Sequence, residues 1–280
     1  MNKLSFVASM LMMCLPMTMM AQKNGAKAQN KPDPNFQIYL CFGQSNMEGN
    51  AAIEDIDRTG VNPRFMAMYA VDDEKAGWKK GQWHTAVPPQ ARPDTGLTPV
   101  DYFGRKMVDN LPDSIKVGTI TVAVGGASID LFDKRTCKAY LKKQPDWMKN
   151  FASKYNGNPY ARLIELAKIA QKQGVIKGIL LHQGETNNGD ANWPNRVKTV
   201  YNDILKELHL KAEDVPLLVG ETVQKDQGGS CWQHIAIVDD IAKTIPTAHV
   251  ISSKGCPQRG DGLHFIAESY RTMGKRYANM

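Results

Sequence analysis

The sequence predicts an α/β fold: a flavodoxin-like three-layer α/β/α sandwich built on a five-stranded parallel sheet. Three observations predict it. Five short, apolar, β-rich runs are spaced along the chain. Stretches with apolar residues at helical spacing separate them, and strands alternating with helices form a parallel sheet covered on both faces. The 280 residues suffice for one large domain, and no internal repeat or domain boundary follows residue 35.

The first run is Gln37 to Phe42 (QIYLCF), a buried strand. The second is Lys116 to Val124 (KVGTITVAV), ending on Gly125 and Gly126. Val175 to His182 (VIKGILLH), Val215 to Glu221 (VPLLVGE) and Thr247 to Ser252 (TAHVIS) complete the set. The first helical pattern, Val100 to Leu111, carries Phe103, Met107, Val108 and Leu111. Pro159 to Gln173 opens with a proline, which suits a first helical turn. Pro194 to Leu210 carries Val197, Val200, Tyr201, Ile204 and Leu205. Ile235 to Ile245 and Phe265 to Tyr277 follow. Ile53 to Ala91 has neither period; it reads as a long irregular segment and a candidate for substrate contacts.

The N-terminus predicts export. Lys3 precedes an apolar, Met-rich run from Leu4 to Met20, and Ala21 is a small residue suited to precede a cleavage. The run is too short for a membrane span, so residues 1–21 read as a signal peptide and the mature chain as secreted or periplasmic. Residues 22–35 are polar, basic and Pro-containing, a flexible lead-in to a domain at 36–280. Lys3, Lys23, Lys27 and Lys31, set against Asp33, account for three of the seven net positive charges. No run of five or more basic residues occurs, which argues against a nucleic-acid partner. Cys41, Cys137, Cys231 and Cys256 follow the leader. Their wide spacing without CxxC argues against structural zinc. Cys41 reads as a buried free thiol, and export permits a bridge such as Cys231–Cys256.

In open α/β sheets, sites form outside the carboxyl ends of the strands. The polar, Gly-rich segments of this chain sit there. After the first strand comes Gly43-Gln44-Ser45-Asn46-Met47-Glu48-Gly49. Glycines on either side let the backbone turn sharply and present the Ser45 hydroxyl; the plainer alternative is a helix cap. After the second comes Gly125-Gly126-Ala127-Ser128-Ile129, where a bare backbone N–H can approach a reacting carbonyl, as an oxyanion hole requires. A tight strand-to-helix turn would look the same. After the third comes His182-Gln183-Gly184-Glu185-Thr186-Asn187. Gln183 offers an amide donor, Glu185 an acid or charge partner, and His182, ending the strand, reads as structural. Near the C-terminus, Asp261-Gly262-Leu263-His264 places an acid three residues before an imidazole, a spacing that on one turn lets both face the same side. His264 can then take the Ser45 proton while Asp261 holds its tautomer. The alternative is Asp261 as cap of the last helix beside an exposed histidine.

The blocks GQSNMEG (43–49), GGASI (125–129), HQGETN (182–187) and DGLHF (261–265), with weaker matches at GLTPVDYFG (96–104) and GKRYA (274–278), resemble the SGNH-type hydrolase superfamily. The branch is that of sialate O-acetylesterases and carbohydrate esterase family 6 acetylxylan esterases. The resemblance covers roughly Gln37 to Ala278. It implies the SGNH hydrolase fold, Ser45 as nucleophile, His264 as base and Asp261 as orienting acid. It also implies oxyanion donors from the Ser45 backbone, Gly126 and Gln183. Glu185 stands as an auxiliary acid that competes with Asp261 for His264. The implied substrate is an O-acetylated carbohydrate, deacetylated through an acetyl-serine intermediate with no cofactor or metal. The competing functions are an inactive glycan-binding homologue, since fold alone does not confer activity, and a lipase or thioesterase of the same superfamily. Trp78, Trp83, Trp193 and Trp232, in loops or near their edges, are candidates for stacking on a sugar.

Overall fold

A computed structural model describes residues 31–280. The signal peptide expected at 1–21, and the lead-in up to residue 30, lie outside the described residues. The sheet has seven strands: β1 (Phe36–Gly43), β2 (Phe65–Met68), β3 (Trp83–Thr85), β4 (Lys116–Ala123), β5 (Val175–His182), β6 (Leu217–Gly220) and β7 (Ala248–Ile251). Their order is β3-β2-β4-β1-β5-β6-β7. Every neighbouring pair is parallel except β2–β3. The five strands expected from sequence are all present. The count of five is corrected, because the segment 53–91 contributes β2 and the antiparallel edge strand β3.

Alternation along the strands builds two cores. On β1, Ile38, Leu40 and Phe42 face one layer with Ile120, Val122, Ile179 and Leu181. That layer is closed by the helices Pro159–Ala170 and Trp193–Glu207, whose Leu163, Leu166, Val197 and Ile204 are buried in it. Tyr39 and Cys41 face the other layer with Phe103 and Val108 of helix Pro99–Asn110 and Tyr270, Met273 and Tyr277 of helix Ala267–Asn279. The helix starts follow local chemistry. The Asn158 side chain accepts from the Ala161 N–H at 3.0 Å just before Pro159, and the Asp101 carboxylate accepts from the Thr98 N–H at 3.1 Å, each satisfying a backbone donor at a helix start.

The sheet order positions the site. β1 lies between β4 and β5, so the loops following these three strands emerge side by side. Gly43, the last residue of β1, pairs with His182 of β5. Its φ is +152°, and a Cβ there would stand 2.1 Å from the His182 carbonyl oxygen. Only glycine fits so close an approach. The Gln44 N–H then donates to that same carbonyl at 3.0 Å, and the chain turns at once into the short helix Ser45–Glu48.

Among the described residues all four cysteines are free. The bridge permitted between Cys231 and Cys256 is not made: Cys231 Sγ lies 3.5 Å from the Glu185 carbonyl, and Cys256 Sγ is 3.5 Å from Arg276. No described helix is long and apolar enough to cross a membrane.

Candidate active site

A cleft of about 480 Å³ opens over the carboxyl ends of β1, β4 and β5. Ser45 lines it together with Gln44, Gly125, Gly126, Glu185 and His264. The Ser45 Oγ is 2.8 Å from His264 Nε2, and His264 Nδ1 is 2.7 Å from Asp261 Oδ2. Ser45 and the Asp261–His264 pair, more than 200 positions apart in sequence, form one continuous hydrogen-bonded line.

Asp261 is held by its own turn. Its Oδ1 accepts from the N–H groups of Leu263 (2.9 Å) and His264 (2.8 Å), and its Oδ2 also accepts from Arg259 Nε at 2.8 Å. Burial by itself would raise this carboxyl, but the His264 ring and backbone, Arg259 and Leu263 outweigh it and hold it well below the usual carboxylate range. The spacing of Asp261 and His264 is that of one helical turn. The structure instead wraps bends around the carboxylate, and the last helix begins only at Ala267. Asn46 ties this turn to the helix that carries Ser45. Its Nδ2 donates to the Leu263 carbonyl at 3.0 Å and to Glu185 Oε1 at 2.5 Å, while its Oδ1 accepts from the Tyr270 hydroxyl at 2.6 Å.

Glu185 therefore pairs with Asn46, and the acid on the His264 ring is Asp261. Burial pushes the Glu185 carboxyl up, opposed by its own backbone, by Asn46 and by the nearby His264, and its Oε2 is buried without a partner. His182 is buried beside Phe265 and Tyr277, and burial lowers its imidazole to about 4. That keeps it neutral and structural, as its place at the strand end suggested.

The expected amide donor needs correction. Gln183 is fully buried and does not line the cleft. Its Oε1 faces the Trp193 indole N–H at 2.5 Å, a group that can only donate. Its Nε2 thus faces Asn187 Oδ1 (2.7 Å), Gln44 Oε1 (3.1 Å) and the Ala127 carbonyl (3.2 Å). No hydrogen is left for a ligand. Gln44, which sequence reasoning passed over, has the complementary arrangement. Its Oε1 receives Gln183 Nε2 and the backbone N–H groups of Gly184 (3.4 Å) and Thr186 (3.2 Å). Backbone N–H groups cannot accept, so the oxygen must face them. The Gln44 Nε2 is then left unclaimed on a side chain that lines the cleft.

Two further features were missed, a buried ion pair and an aromatic wall. Glu48, inside the first block, accepts from Arg92 Nη1 at 2.5 Å and from the Gly125 N–H at 2.9 Å, so it clamps the loop after β4 against the helix that carries Ser45. Burial raises the Glu48 carboxyl and Arg92 opposes it, while Glu48 and its neighbours keep Arg92 charged despite burial. The Arg92 side chain is 2% exposed and also contacts Asp94 at 3.3 Å. Removing one member of a buried ion pair strands the other. Arg92→Met is expected to cost about 3–5 kcal/mol of stability, read as a lowered midpoint in urea unfolding. An unchanged midpoint would show that the clamp is not structural.

Trp147 is the second. It lines the cleft at 51% exposure. None of the four tryptophans picked from sequence does. Trp193 is buried on Gln183, Trp78 stacks on Tyr69 at 3.9 Å, Trp83 packs edge-on to Phe36 at 4.8 Å, and Trp232 lies under Lys225. The segment 53–91 contributes no lining residue either; Gly49, Asn50, Arg92, Asp94 and Thr95, on its flanks, do.

A doubly wound α/β domain with a serine, an imidazole and a carboxylate in line at its strand ends has the architecture of a serine-type ester hydrolase. The chain belongs to the carbohydrate esterase family described as sialic acid-specific acetylesterase, whose model matches residues 35–280. It is therefore a carboxylic ester hydrolase of the carbohydrate acetylesterase kind, as the four sequence blocks led us to expect. Solved structures agree on the fold. A protein from Arabidopsis thaliana is 19% identical with a TM-score of 0.64, over 88% of this chain and 97% of that one. NanS is 15% identical with a TM-score of 0.62, over 89% and 97%. A carbohydrate acetylesterase from Xanthomonas citri is 18% identical with a TM-score of 0.57, over 86% of this chain and 55% of that one.

Proposed function

We propose that the protein is an exported O-acetylesterase that removes acetyl groups from carbohydrates through an acetyl-serine intermediate. The observation that carries the mechanism is the Ser45–His264–Asp261 line, at 2.8 and 2.7 Å, opening on the cleft. With Nδ1–H held by Asp261, the free Nε2 lone pair points at the Ser45 hydroxyl. His264 takes that proton as Ser45 Oγ bonds to the acetyl carbonyl carbon. The tetrahedral oxyanion collapses, His264 returns the proton to the departing sugar oxygen, and acetyl-serine remains. Water, deprotonated by the same imidazole, attacks the acetyl-serine; acetate leaves and the proton goes back to Ser45. Asp261, held low and ionised, stabilises the imidazolium in both steps.

The oxyanion needs donors fixed in advance. The Ser45 and Gly126 N–H groups have no protein acceptor among the described residues and border the cleft. Gln44 Nε2 is the third, in the place first given to Gln183. Gly126 has φ +69° and faces the cleft bare, a conformation that favours glycine. Replacing Gln44 by alanine is expected to lower kcat on the order of 10²–10³-fold with little change in KM, as for loss of one oxyanion donor. Steady-state kinetics on an acetyl ester checks this, and a variant that only raised KM would remove Gln44 from the oxyanion. The reading as a whole is tested by a fluorophosphonate probe followed by peptide mapping. Label on Ser45, with acetate released from an O-acetylated sugar, is expected; an unlabelled protein that releases no acetate would favour glycan binding alone.

A further inference from the structure

We propose that Trp147 is the saccharide platform of this site, and that the site prefers the O-acetyl ester of an uncharged sugar to that of an acidic one. This rests on the acetylesterase reading above. Trp147 stands on the helix Asp146–Ser153, half exposed, with its ring edge-on to Phe151 at 5.8 Å. The indole lies over Gly126: a Cβ built there would be 2.8 Å from ring atom Cη2. It is thus the aromatic wall nearest the bare backbone beside Ser45. A pyranose has one face of C–H groups, which pairs with an aromatic face, and a rim of hydroxyls. Around the same cleft Asn50, Asp94, Thr95 and Thr186 supply polar partners for such hydroxyls.

The charges decide between sugar classes. A sialate carries a carboxylate that must find a cation or remain in water. Among the described residues, Arg92 is the one arginine lining the cleft, and no lysine lines it. Its guanidinium is 2% exposed and already committed to Glu48 and Asp94. Arg259 pairs with Asp261, donates to the Asn50 carbonyl, and does not line the cleft. Asp94, with its side chain 58% exposed, is the charge that faces solvent at the rim. An incoming carboxylate meets a like charge there, which disfavours it, although the chain as a whole carries +7. An uncharged hydroxylated ring pays no such cost, and Asp94 can accept from its hydroxyls.

The test compares wild type, Trp147→Ala, Trp147→Phe and Asp94→Asn on three esters. These are p-nitrophenyl acetate, an acetylated xylo-oligosaccharide and O-acetylated N-acetylneuraminic acid. Wild type is expected to show the higher kcat/KM on the neutral oligosaccharide than on the sialate. Trp147→Ala should raise KM for the oligosaccharide about tenfold, the loss of one aromatic stacking contact, a larger loss than on p-nitrophenyl acetate, which has no sugar ring to stack. Trp147→Phe should restore most of the affinity. Asp94→Asn should narrow the gap between the two sugars. A wild-type preference for the sialate, or an equal loss on all three esters in Trp147→Ala, overturns the proposal while the esterase reading stands. Acetate released by wild type from none of the three brings down both.

Discussion

Replacing Ser45 by alanine should lower kcat for any acetyl ester on the order of 10⁴–10⁶-fold while leaving the unfolding midpoint close to wild type. The size of the loss follows from the role. Without the hydroxyl no acyl-enzyme can form, and what remains is the contribution of the oxyanion donors to direct attack by water. The small effect on stability follows from the contacts. The Oγ has a single hydrogen-bond partner, His264 Nε2, at the edge of an open cleft where water can replace it. His264→Ala should fall in the same range, and the double variant should lose no more than either single one, because the two side chains act as a unit. Activity on p-nitrophenyl acetate, with intact-mass measurement of an acetyl adduct during turnover, checks both. Additive losses in the double variant would mean that Ser45 and His264 act in separate steps.

What could be read from sequence, and what could not, has a physical pattern. Strands β1, β4 and β5 were legible because each is an eight-residue, mostly apolar stretch buried along nearly its whole length. β2 and β3 were not: they have four and three residues, and β3 is an only partly buried edge strand. Nothing periodic distinguishes so short a stretch from loop. Ser45, Asp261 and His264 were legible because each sits in a polar, glycine-containing segment beyond the end of a strand. Gln183 and Gln44 show the limit. Both are amides in such loops, and residue type alone makes either a donor. Only the partition of hydrogen bonds decides: Trp193 and three acceptors exhaust Gln183, which then pins Gln44 by its oxygen. Arg92 and Trp147 were invisible for a different reason. Arg92 precedes the block 96–104 in a stretch with no period, Trp147 lies far from every block, and both reach the cleft only through the chain's path across the strand ends.

The second large effect is expected at Asp261, and the competing acid supplies its control. Asp261→Asn should lower kcat about 10⁴-fold, whereas Glu185→Gln should change it little. Asp261 faces four donors: two backbone N–H groups on Oδ1, and His264 Nδ1 with Arg259 Nε on Oδ2. An asparagine turns an NH₂ toward one of these pairs whichever way it lies. If it faces the ring, Nδ1 must become the acceptor and the imidazole proton moves to Nε2. That proton then points at Ser45, and the base is lost. If it faces the backbone, the turn that carries His264 loosens. Glu185 has no such position. Its Oε1 accepts from Asn46 and its Oε2 has no partner, so a glutamine keeps the one bond that exists. The sign of the pH dependence follows from the low Asp261 carboxyl. A depressed folded value means that its contribution to stability is present above the ordinary carboxylate value of about 3.9. It is lost only as pH falls below that value, toward the depressed one. Asp261 therefore stays ionised through mildly acidic conditions, and acid unfolding of Asp261→Asn should begin at no lower pH than in wild type. Kinetics of the two variants on one acetyl ester decides between the acids: if Glu185→Gln loses as much as Asp261→Asn, the orienting role passes to Glu185.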